Sequence, residues 1–363
     1  MSITKGAAHS IHDRVLRFIA DPGSATFETL ALEVFAHQFE CIPPYRDVCA
    51  RRGMTPATVR DWRDIPPVPA LAFKRLDLGC AAAQRVFRTT GTTLGAERRG
   101  RHGMPDVRLY HAAAIAGMKA FLFPDVETMR ILSLVAARDE CPESSLSQMI
   151  AWAMERFGSV AGSDVFVHDG QLDVAGVVTA LRQSEQDGVP VCIMTTTGAL
   201  VRFFDRCRAQ GVAFRLPHGS RLMDTGGSKG AGRSLSAAGV LHACWNVLAI
   251  PGYYCANEYG MTELSSQYYD TVIRDRYAGR CAHRAKAGPH WLRPVVLDPG
   301  TLREVPAGAS GLLCHFDLAN AGTALAVLTE DVGHTVENGI VITGRIADSE
   351  ARGCSLALAD FVG

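Results

Sequence analysis

A run of threonine and glycine followed by basic residues is the first segment whose side chains could do chemistry. It lies within VFRTTGTTLGAERRGRH (86–102). The run consists of Thr89, Thr90, Gly91, Thr92 and Thr93. Backbone N–H groups of such a turn, together with the hydroxyls, can bind phosphate oxygens. The lysine that usually follows a phosphate loop is missing, and guanidinium groups can replace it. The candidates for that role are Arg98, Arg99, Arg101 and His102.

A second segment, ANEYGMTELSS (256–266), combines a ring, a hydroxyl and a carboxylate within a few residues. Tyr259 can stack on a base, and Gly260 allows close approach. Thr262 can contact a phosphate, and Glu263 can bind magnesium. An ordinary exposed loop is the alternative interpretation.

Two later residues suit the remainder of a nucleotide. Asp331, in LTEDVG (328–333), lies on a turn between strands, where a carboxylate can accept hydrogen bonds from both ribose hydroxyls. Arg345, in ITGRIADSEARG (342–353), precedes a polar stretch that is typical of a hinge.

Strands that alternate with helices must position these groups. From Met129 onward the apolar strands MRILSLVAA, DVFVHDG, VPVCIMTTT and SRLMDTGG alternate with helical segments such as SSLSQMIAWAMERFG. This alternation predicts an α/β fold with a mainly parallel sheet covered on both faces. Ligands of such sheets bind at the carboxyl ends of strands, where TTTG and DTGG fall.

The two ends of the chain follow other patterns. Residues 24–39 predict a helix with Ser24 as N-cap. Its buried face consists of Phe27, Leu30, Ala31, Val34 and Phe35. DIPPVPALAFK (64–74) predicts an extended connector packed on the surface. After about residue 290 the pattern predicts short strands joined by turns, a β-rich subdomain.

Composition excludes several classes of protein. The 363 residues balance 37 basic against 37 acidic side chains, so a broad electrostatic surface for nucleic acid or membrane is not indicated. The 11 cysteines form no CxxC pair, which disfavours zinc ligation and a disulfide framework. No signal peptide or membrane span is visible. We expect a cytoplasmic protein.

In their order along the chain, these segments resemble the motifs of the adenylate-forming enzymes, the superfamily of acyl-CoA synthetases, adenylation domains and firefly luciferase. TTGTTLG resembles the phosphate loop of this superfamily, and EYGMTE resembles its adenine and magnesium motif. TEDVG resembles the segment with the ribose-binding aspartate, and GR resembles the hinge motif. Three further segments narrow the resemblance to the acyl-protein synthetase family, which includes the LuxE component of a fatty-acid reductase. These segments are FETLALEVFAHQFECIPPYRDVC, WRDIPPVPALAFK and SRLMDTGGSKG.

The resemblance implies that ATP activates a carboxylic acid to an acyl-adenylate, with release of pyrophosphate and later transfer to a thiol. ATP and Mg²⁺ are the implied cofactors, and Glu263 the implied metal ligand. The implied ATP-binding residues also include Gly226, Gly227, Glu258 and Met261. The acceptor is the chain's own cysteine, a carrier or reductase-type protein, or CoA. Cys354 matches by position the family's acyl-accepting cysteine near the C-terminus.

The superfamily usually continues past the hinge into a domain with a catalytic lysine. Here we expect one large adenylate-forming domain over residues 1–345, with the β-rich subdomain at about 290–345, and a short tail over 346–363. Lys229 is a candidate for the missing positive charge, although a loop lysine is more often simply exposed. Ala347 lies near the position of the superfamily's charged hinge residue.

Three other functions compete with this hypothesis. An acyl- or aryl-CoA ligase would release acyl-CoA and leave no acylated protein. A nucleotide-binding partner subunit would lack catalysis, but it would not need Thr262, Glu263 and Asp331 together. A Rossmann dehydrogenase is disfavoured because no GxGxxG follows a strand. The identity of the acid is left open.

Overall fold

The computed structural model describes residues 10–89, 100–159, 161–226, 235–346 and Phe361. Helices and strands alternate in the middle of the chain, and strands dominate after residue 290. None of the helices in this part of the chain has both the length and the apolar character needed to cross a bilayer.

The α-helices of the described residues are, in chain order, α1 (Ile11–Ala20), α2 (Phe27–Cys41), α3 (Pro43–Arg51), α4 (Val107–Phe121), α5 (Ser145–Phe157), α6 (Val174–Asp187), α7 (Thr197–Ala209), α8 (Ala237–Leu248) and α9 (Val272–Tyr277). The strands are β1 (Val68–Pro69), β2 (Arg85–Arg88), β3 (Arg101–Met104), β4 (Arg130–Ser133), β5 (Asp164–Val165), β6 (Val167–His168), β7 (Gln171–Leu172), β8 (Val191–Thr196), β9 (Arg221–Thr225), β10 (Cys255–Tyr259), β11 (Tyr268–Asp270), β12 (Lys286–Ala287), β13 (Leu292–Leu297), β14 (Gly311–Asp317), β15 (Ala326–Val336) and β16 (Gly339–Arg345). Ala70–Lys74 and Leu318–Asn320 form short 3₁₀ helices.

The chain folds into two compact units. The first unit takes its residues from Met1–Ala116, Thr262–Ser266 and Gly288–Gly363. The second unit takes its residues from Gly117–Met261 and Gln267–Ala287. The chain therefore passes from the second unit to the first within the segment EYGMTE.

A mixed sheet with a parallel centre forms the second unit. Strand β10 pairs with β9, β9 with β8, β8 with β4 and β4 with β5, all in parallel. Strands β11 and β12 extend this sheet with antiparallel pairs. The central strands β8 and β9 are almost continuously buried, as expected for strands covered on both faces. The predicted α/β class is confirmed.

The helices of the second unit begin and end at the residues that the sequence indicates. The Ser144 hydroxyl accepts from the Ser147 amide at the start of α5. At its end, a Cβ on Gly158 would approach the Met154 carbonyl oxygen to 2.3 Å, so only glycine fits there. Gly188 ends α6 in the left-handed region, with φ of 66°.

Antiparallel strands dominate the end of the first unit. Strands β13, β14, β15 and β16 pair in this order, and β1 adds to β15 in parallel. This confirms the predicted β-rich region. The connector at 64–74 differs from the prediction, because it contains β1 and a 3₁₀ helix with Ile65 and Phe73 buried.

The N-terminal helix prediction needs one correction. The five predicted apolar residues of α2 are all buried. The N-cap, however, is Thr26 rather than Ser24, and its hydroxyl accepts from the Thr29 amide. Ser24 instead donates to the Asp21 carbonyl in the preceding turn, so it is not available as a cap.

One disulfide contradicts the expectation drawn from cysteine spacing. Cys41, the last residue of α2, is joined to Cys80, with their Cα atoms 4.9 Å apart. The two cysteines are 39 positions apart in sequence, and only the fold of the first unit brings them together. The other cysteines of the described residues form no disulfide.

Candidate active site

Glu263 is the most informative of the predicted residues in the first unit. Its side chain is only 6% exposed, and burial raises the pKa of its carboxyl to about 7. The positive charges of Lys74 and Arg345 lower this pKa, whereas the negative charge of Asp331 raises it. Two acidic and two basic side chains from distant parts of the sequence therefore act on one another here.

The donor set of this cluster suits a hard divalent cation. Mg²⁺ prefers carboxylate oxygens, and a bound cation would relieve the repulsion between Glu263 and Asp331. The absence of a side chain at Gly100 keeps space open beside the Glu263 carboxylate. A Cβ at position 100 would lie 3.2 Å from Glu263 Oε1. Glu263 therefore fits the metal-binding role that the sequence predicts for it.

The main chain on either side of Glu263 is fixed by hydrogen bonds. The Asn320 side-chain amide donates to the Glu263 carbonyl at 2.9 Å, and its oxygen accepts from the Ser265 amide at 2.9 Å. The Asp317 carboxylate accepts from the amides of Ser265 and Ser266 at 3.0 and 2.8 Å. Burial raises the pKa of Asp317 to about 6. No sequence motif marks Asn320 or Asp317, so neither positioning residue could be predicted.

His102 occupies a different place from the one expected. It is only 1% exposed, with Nδ1 2.6 Å from the Thr262 carbonyl and Nε2 3.0 Å from the Thr323 hydroxyl. Since a carbonyl only accepts, Nδ1 carries the proton. Burial lowers the pKa of His102 to about 4, so the ring is neutral at pH 7. His102 therefore orients Thr262 and does not supply the positive charge that the missing lysine would have supplied.

The stem of the threonine–glycine loop is a hairpin of β2 and β3. Across it, the Thr89 amide donates to the Gly100 carbonyl at 3.0 Å, and the Gly100 amide donates to the Thr89 hydroxyl at 2.9 Å. Arg101 is partly exposed and lies 3.3 Å from the Asp77 carboxylate. The remaining predicted loop residues lie outside the described residues: Thr90, Gly91, Thr92, Thr93, Arg98 and Arg99.

Asp331 and Arg345 are direct partners on adjacent strands. They face each other in the register of β15 and β16, and Arg345 Nε donates to Asp331 Oδ1 at 2.8 Å. Asp331 is buried, whereas Arg345 is largely exposed. The sequence placed both residues in a nucleotide site, but it gave no reason to pair them.

The predicted residues of the second unit gather at the carboxyl ends of β9 and β10. Glu258 is buried and accepts a very short hydrogen bond from the Thr225 hydroxyl. Burial raises the pKa of Glu258 to about 7, although this hydrogen bond and Lys286 lower it. Gly226 has φ of 76°, and a Cβ on Gly260 would come within 2.4 Å of Glu258 Oε1. The positive φ favours glycine at position 226, and a side chain at position 260 would displace the Glu258 carboxylate.

Below this edge the sheet contains a polar network that the sequence did not reveal. Lys286 donates to the Asn257 side chain at 2.7 Å and to Asp270 at 3.1 Å. Arg284 donates to the same Asp270 carboxylate and to the Gly252 carbonyl. These side chains fix β10, which carries Glu258 and Tyr259, against β11 and β12.

Three other predicted residues, Gly227, Lys229 and Cys354, lie outside the described residues, as does Ala347. Met261 and Tyr259 are described, and the rings of Tyr259 and Tyr268 lie 6.0 Å apart.

Comparison with known proteins decides the family. The model of the acyl-protein synthetase family, LuxE, matches residues 11–362. The chain belongs to this family. No curated protein matches the sequence significantly.

Solved structures show the fold of this LuxE-family protein. An open conformation of 2-hydroxyisobutyryl-CoA ligase, in complex with 2-HIB-AMP and CoA, is 16% identical, with a TM-score of 0.59, over 88% of this chain and 70% of that one. The same ligase in its thioesterification state is 17% identical in sequence, with a TM-score of 0.57. The match covers 93% of this chain and 68% of the ligase chain. The fold is that of the adenylate-forming enzymes. Together with family membership, it supports an acyl-adenylate-forming ligase.

Proposed function

We propose that this LuxE-family protein activates a carboxylic acid with ATP and then passes the acyl group to a thiol. The observation that carries the proposal is the cluster around Glu263. This buried carboxylate is influenced by Asp331, Lys74 and Arg345, on a segment fixed by positioning residues. A loop with only a structural role would not need two buried carboxylates, Glu263 and Asp331, in one cluster.

In the proposed reaction, a carboxylate oxygen of the acid attacks the α-phosphorus of ATP. The bond between the α-phosphorus and its bridging oxygen breaks, and pyrophosphate leaves with the electron pair. Negative charge develops during this step, so preorganised positive groups accelerate it. Lys74, at the end of its 3₁₀ helix, and Arg345 supply such groups beside Glu263.

Glu263 would hold Mg²⁺, which when bound supplies charge neutralisation at the phosphates. Asp331 would accept hydrogen bonds from the ribose. Thr262, Arg101 and the threonine–glycine run would contact phosphates. In the second unit, Glu258, Tyr259 and Gly226 would contact the base.

Lys74 is our candidate for the positive charge that the phosphate loop lacks. Its charge lowers the pKa of Glu263, so the ammonium group acts on the same site. Lys229, which the sequence suggests for the same positive charge, is the competing candidate. Parallel Lys74→Ala and Lys229→Ala variants decide between them by the loss of exchange rate.

A cavity of about 220 Å³ in the second unit is a candidate pocket for the acyl group. It lies at the carboxyl end of β4 and is lined by Ser133, Ala137, Ile150, Ala151 and Met154, among others. Ligands of parallel sheets bind at this edge. If the proposal holds, Ala151→Trp narrows the range of accepted acids towards smaller ones while the KM for ATP stays constant.

The decisive experiment is ATP–pyrophosphate exchange with a panel of carboxylic acids. We expect exchange that depends on both magnesium and the acid, and we expect Glu263→Gln to lose it. Glu304→Gln, an exposed carboxylate in the same unit, is the matched control and should retain activity. A protein that binds ATP but never exchanges pyrophosphate would be the non-catalytic subunit instead.

The acceptor thiol is tested separately. Protein, ATP, magnesium and an accepted labelled acid should give hydroxylamine-sensitive label on Cys354. The label should disappear in Cys354→Ser and persist in Cys141→Ser, which removes an exposed free thiol. Release of acyl-CoA without labelled protein would instead make the enzyme a CoA ligase.

A further inference from the structure

Two cysteines and a histidine meet in the first unit, in a region that the proposed reaction does not use. His37 and Cys41 lie one turn apart on α2, so their side chains share one face of the helix. Cys80 approaches from the segment before β2. One ligand atom from each of the three residues lies within 4.8 Å of the other two.

A second histidine stands beside this group. The ring of His12, on α1, is 5.9 Å from the ring of His37. Its Nδ1 lies 3.3 Å from the Asp106 carboxylate, whereas its Nε2 is buried and has no hydrogen-bond partner among the described residues. Histidines that ligate metals usually bind a carboxylate through their other ring nitrogen. His12 has this arrangement.

The backbone links His12 to the cysteines. A Cβ on Gly322 would lie 3.5 Å from His12 Cε1, the ring carbon between the two nitrogens. The carbonyl of the same glycine accepts from the Cys80 amide at 2.9 Å. The His12 ring and the Cys80 main chain are therefore both neighbours of Gly322.

We propose that in the reduced chain His37, Cys41 and Cys80, with His12 as fourth ligand, bind one Zn²⁺ ion. Two sulfurs and two imidazoles are a standard tetrahedral ligand set for zinc. The disulfide of the structure is the oxidised form of the same pair. A dithiol reductant supplies two electrons and two protons to open it. Binding of Zn²⁺ then releases both thiol protons.

The site would connect three segments of the first unit. It would cross-link α1 and α2 to the segment that precedes β2. Strands β2 and β3 form the hairpin at the base of the threonine–glycine loop. Its role would therefore be structural and independent of the proposed ligase reaction. Zinc that binds only the folded state should raise the melting temperature.

The test uses the full-length chain after reduction with a dithiol, with mass spectrometry confirming free thiols. After dialysis against Zn²⁺, elemental analysis should find about one zinc per wild-type chain. Cys41→Ser/Cys80→Ser should bind less than about a tenth of that amount. The Cys141→Ser control should match the wild type. Co²⁺ in place of zinc should give the visible bands of a tetrahedral thiolate complex.

A second measurement avoids variants that fail to fold. Zn²⁺ should protect Cys41 and Cys80 of the wild type from alkylation, while exposed Cys141 reacts at the same rate with or without the metal. His12→Ala should weaken zinc binding roughly tenfold or more. The proposal is overturned if the reduced wild type binds no zinc, if Cys41 and Cys80 alkylate equally in both conditions, or if the disulfide resists reduction.

Discussion

Glu258 in the second unit and Glu263 in the first are five positions apart in sequence, and burial raises the pKa of each to about 7. Their surroundings nevertheless differ. Glu258 accepts a hydrogen bond from the Thr225 hydroxyl, and one positive side chain, Lys286, and one carboxylate, Asp224, act on its pKa. Glu263 is influenced by two positive side chains and by a second carboxylate.

We expect this difference to correspond to two chemical roles. A buried carboxyl that accepts a hydrogen bond from a hydroxyl and is influenced by a single positive side chain suits hydrogen bonding to an uncharged ligand edge, such as a base. A carboxyl in a cluster of four charged groups suits ligands whose charge changes during a reaction. Proximity in sequence therefore does not imply a shared role, because the chain passes from one unit to the other between these residues.

The largest effect is expected for Glu263→Gln. Removing one preorganised charge from the reaction site should lower the rate of pyrophosphate exchange by about 10²- to 10³-fold. The melting temperature should change little. Exchange within a factor of about two of the wild type would show that the Glu263 cluster is not the reaction site.

Glu258→Gln should change the pH dependence of stability. The folded-state pKa of Glu258 exceeds its unfolded value, so wild-type stability should fall as pH rises from about 4.5 to 7. The shift corresponds to about 3 kcal/mol. Urea unfolding at pH 4.5 and 8, without ATP, should show that the variant loses less stability than the wild type. Parallel losses in the two proteins would mean that Glu258 ionises normally.

Asp331→Asn should act mainly on ATP. A charged hydrogen bond contributes roughly 1.5–3 kcal/mol, so the KM for ATP should rise about tenfold to a hundredfold. The KM for the acid should stay nearly constant. Arg345→Gln keeps the Asp331 carboxylate but removes the ion pair and the positive charge proposed to assist the reaction, so it should lower kcat more than it raises the KM for ATP. An effect confined to the acid would contradict the ribose role.

Asn320→Ala should have the smallest effect of the four. It removes the hydrogen bonds of Asn320 to the Glu263 carbonyl and the Ser265 amide, whereas the Ser265 amide keeps its bond to Asp317 and the Glu263 carboxylate stays in place. We expect the Mg²⁺ concentration for half-maximal exchange to rise roughly tenfold. Asn246→Ala, on the exposed side of α8, is the control. An unchanged magnesium requirement would show that Asn320 is only structural.

The sequence by itself determined the α/β class, the alternating strands and helices between Met129 and Thr225, and the family. These properties depend on local signals, such as apolar strands, serine caps and glycines at helix ends, and on motifs contained in a few consecutive residues. Ser144 and Gly158 mark the limits of α5 because a cap involves only neighbouring residues.

Only the tertiary structure decided how distant residues combine. Lys74 and Arg345 act on Glu263, Asn320 fixes its main chain, and His102 is neutral because the fold buries it. His37, Cys41 and Cys80 meet in the same way. A side chain's charge state and partners depend on burial and on groups far away in sequence, and no local pattern encodes either of these.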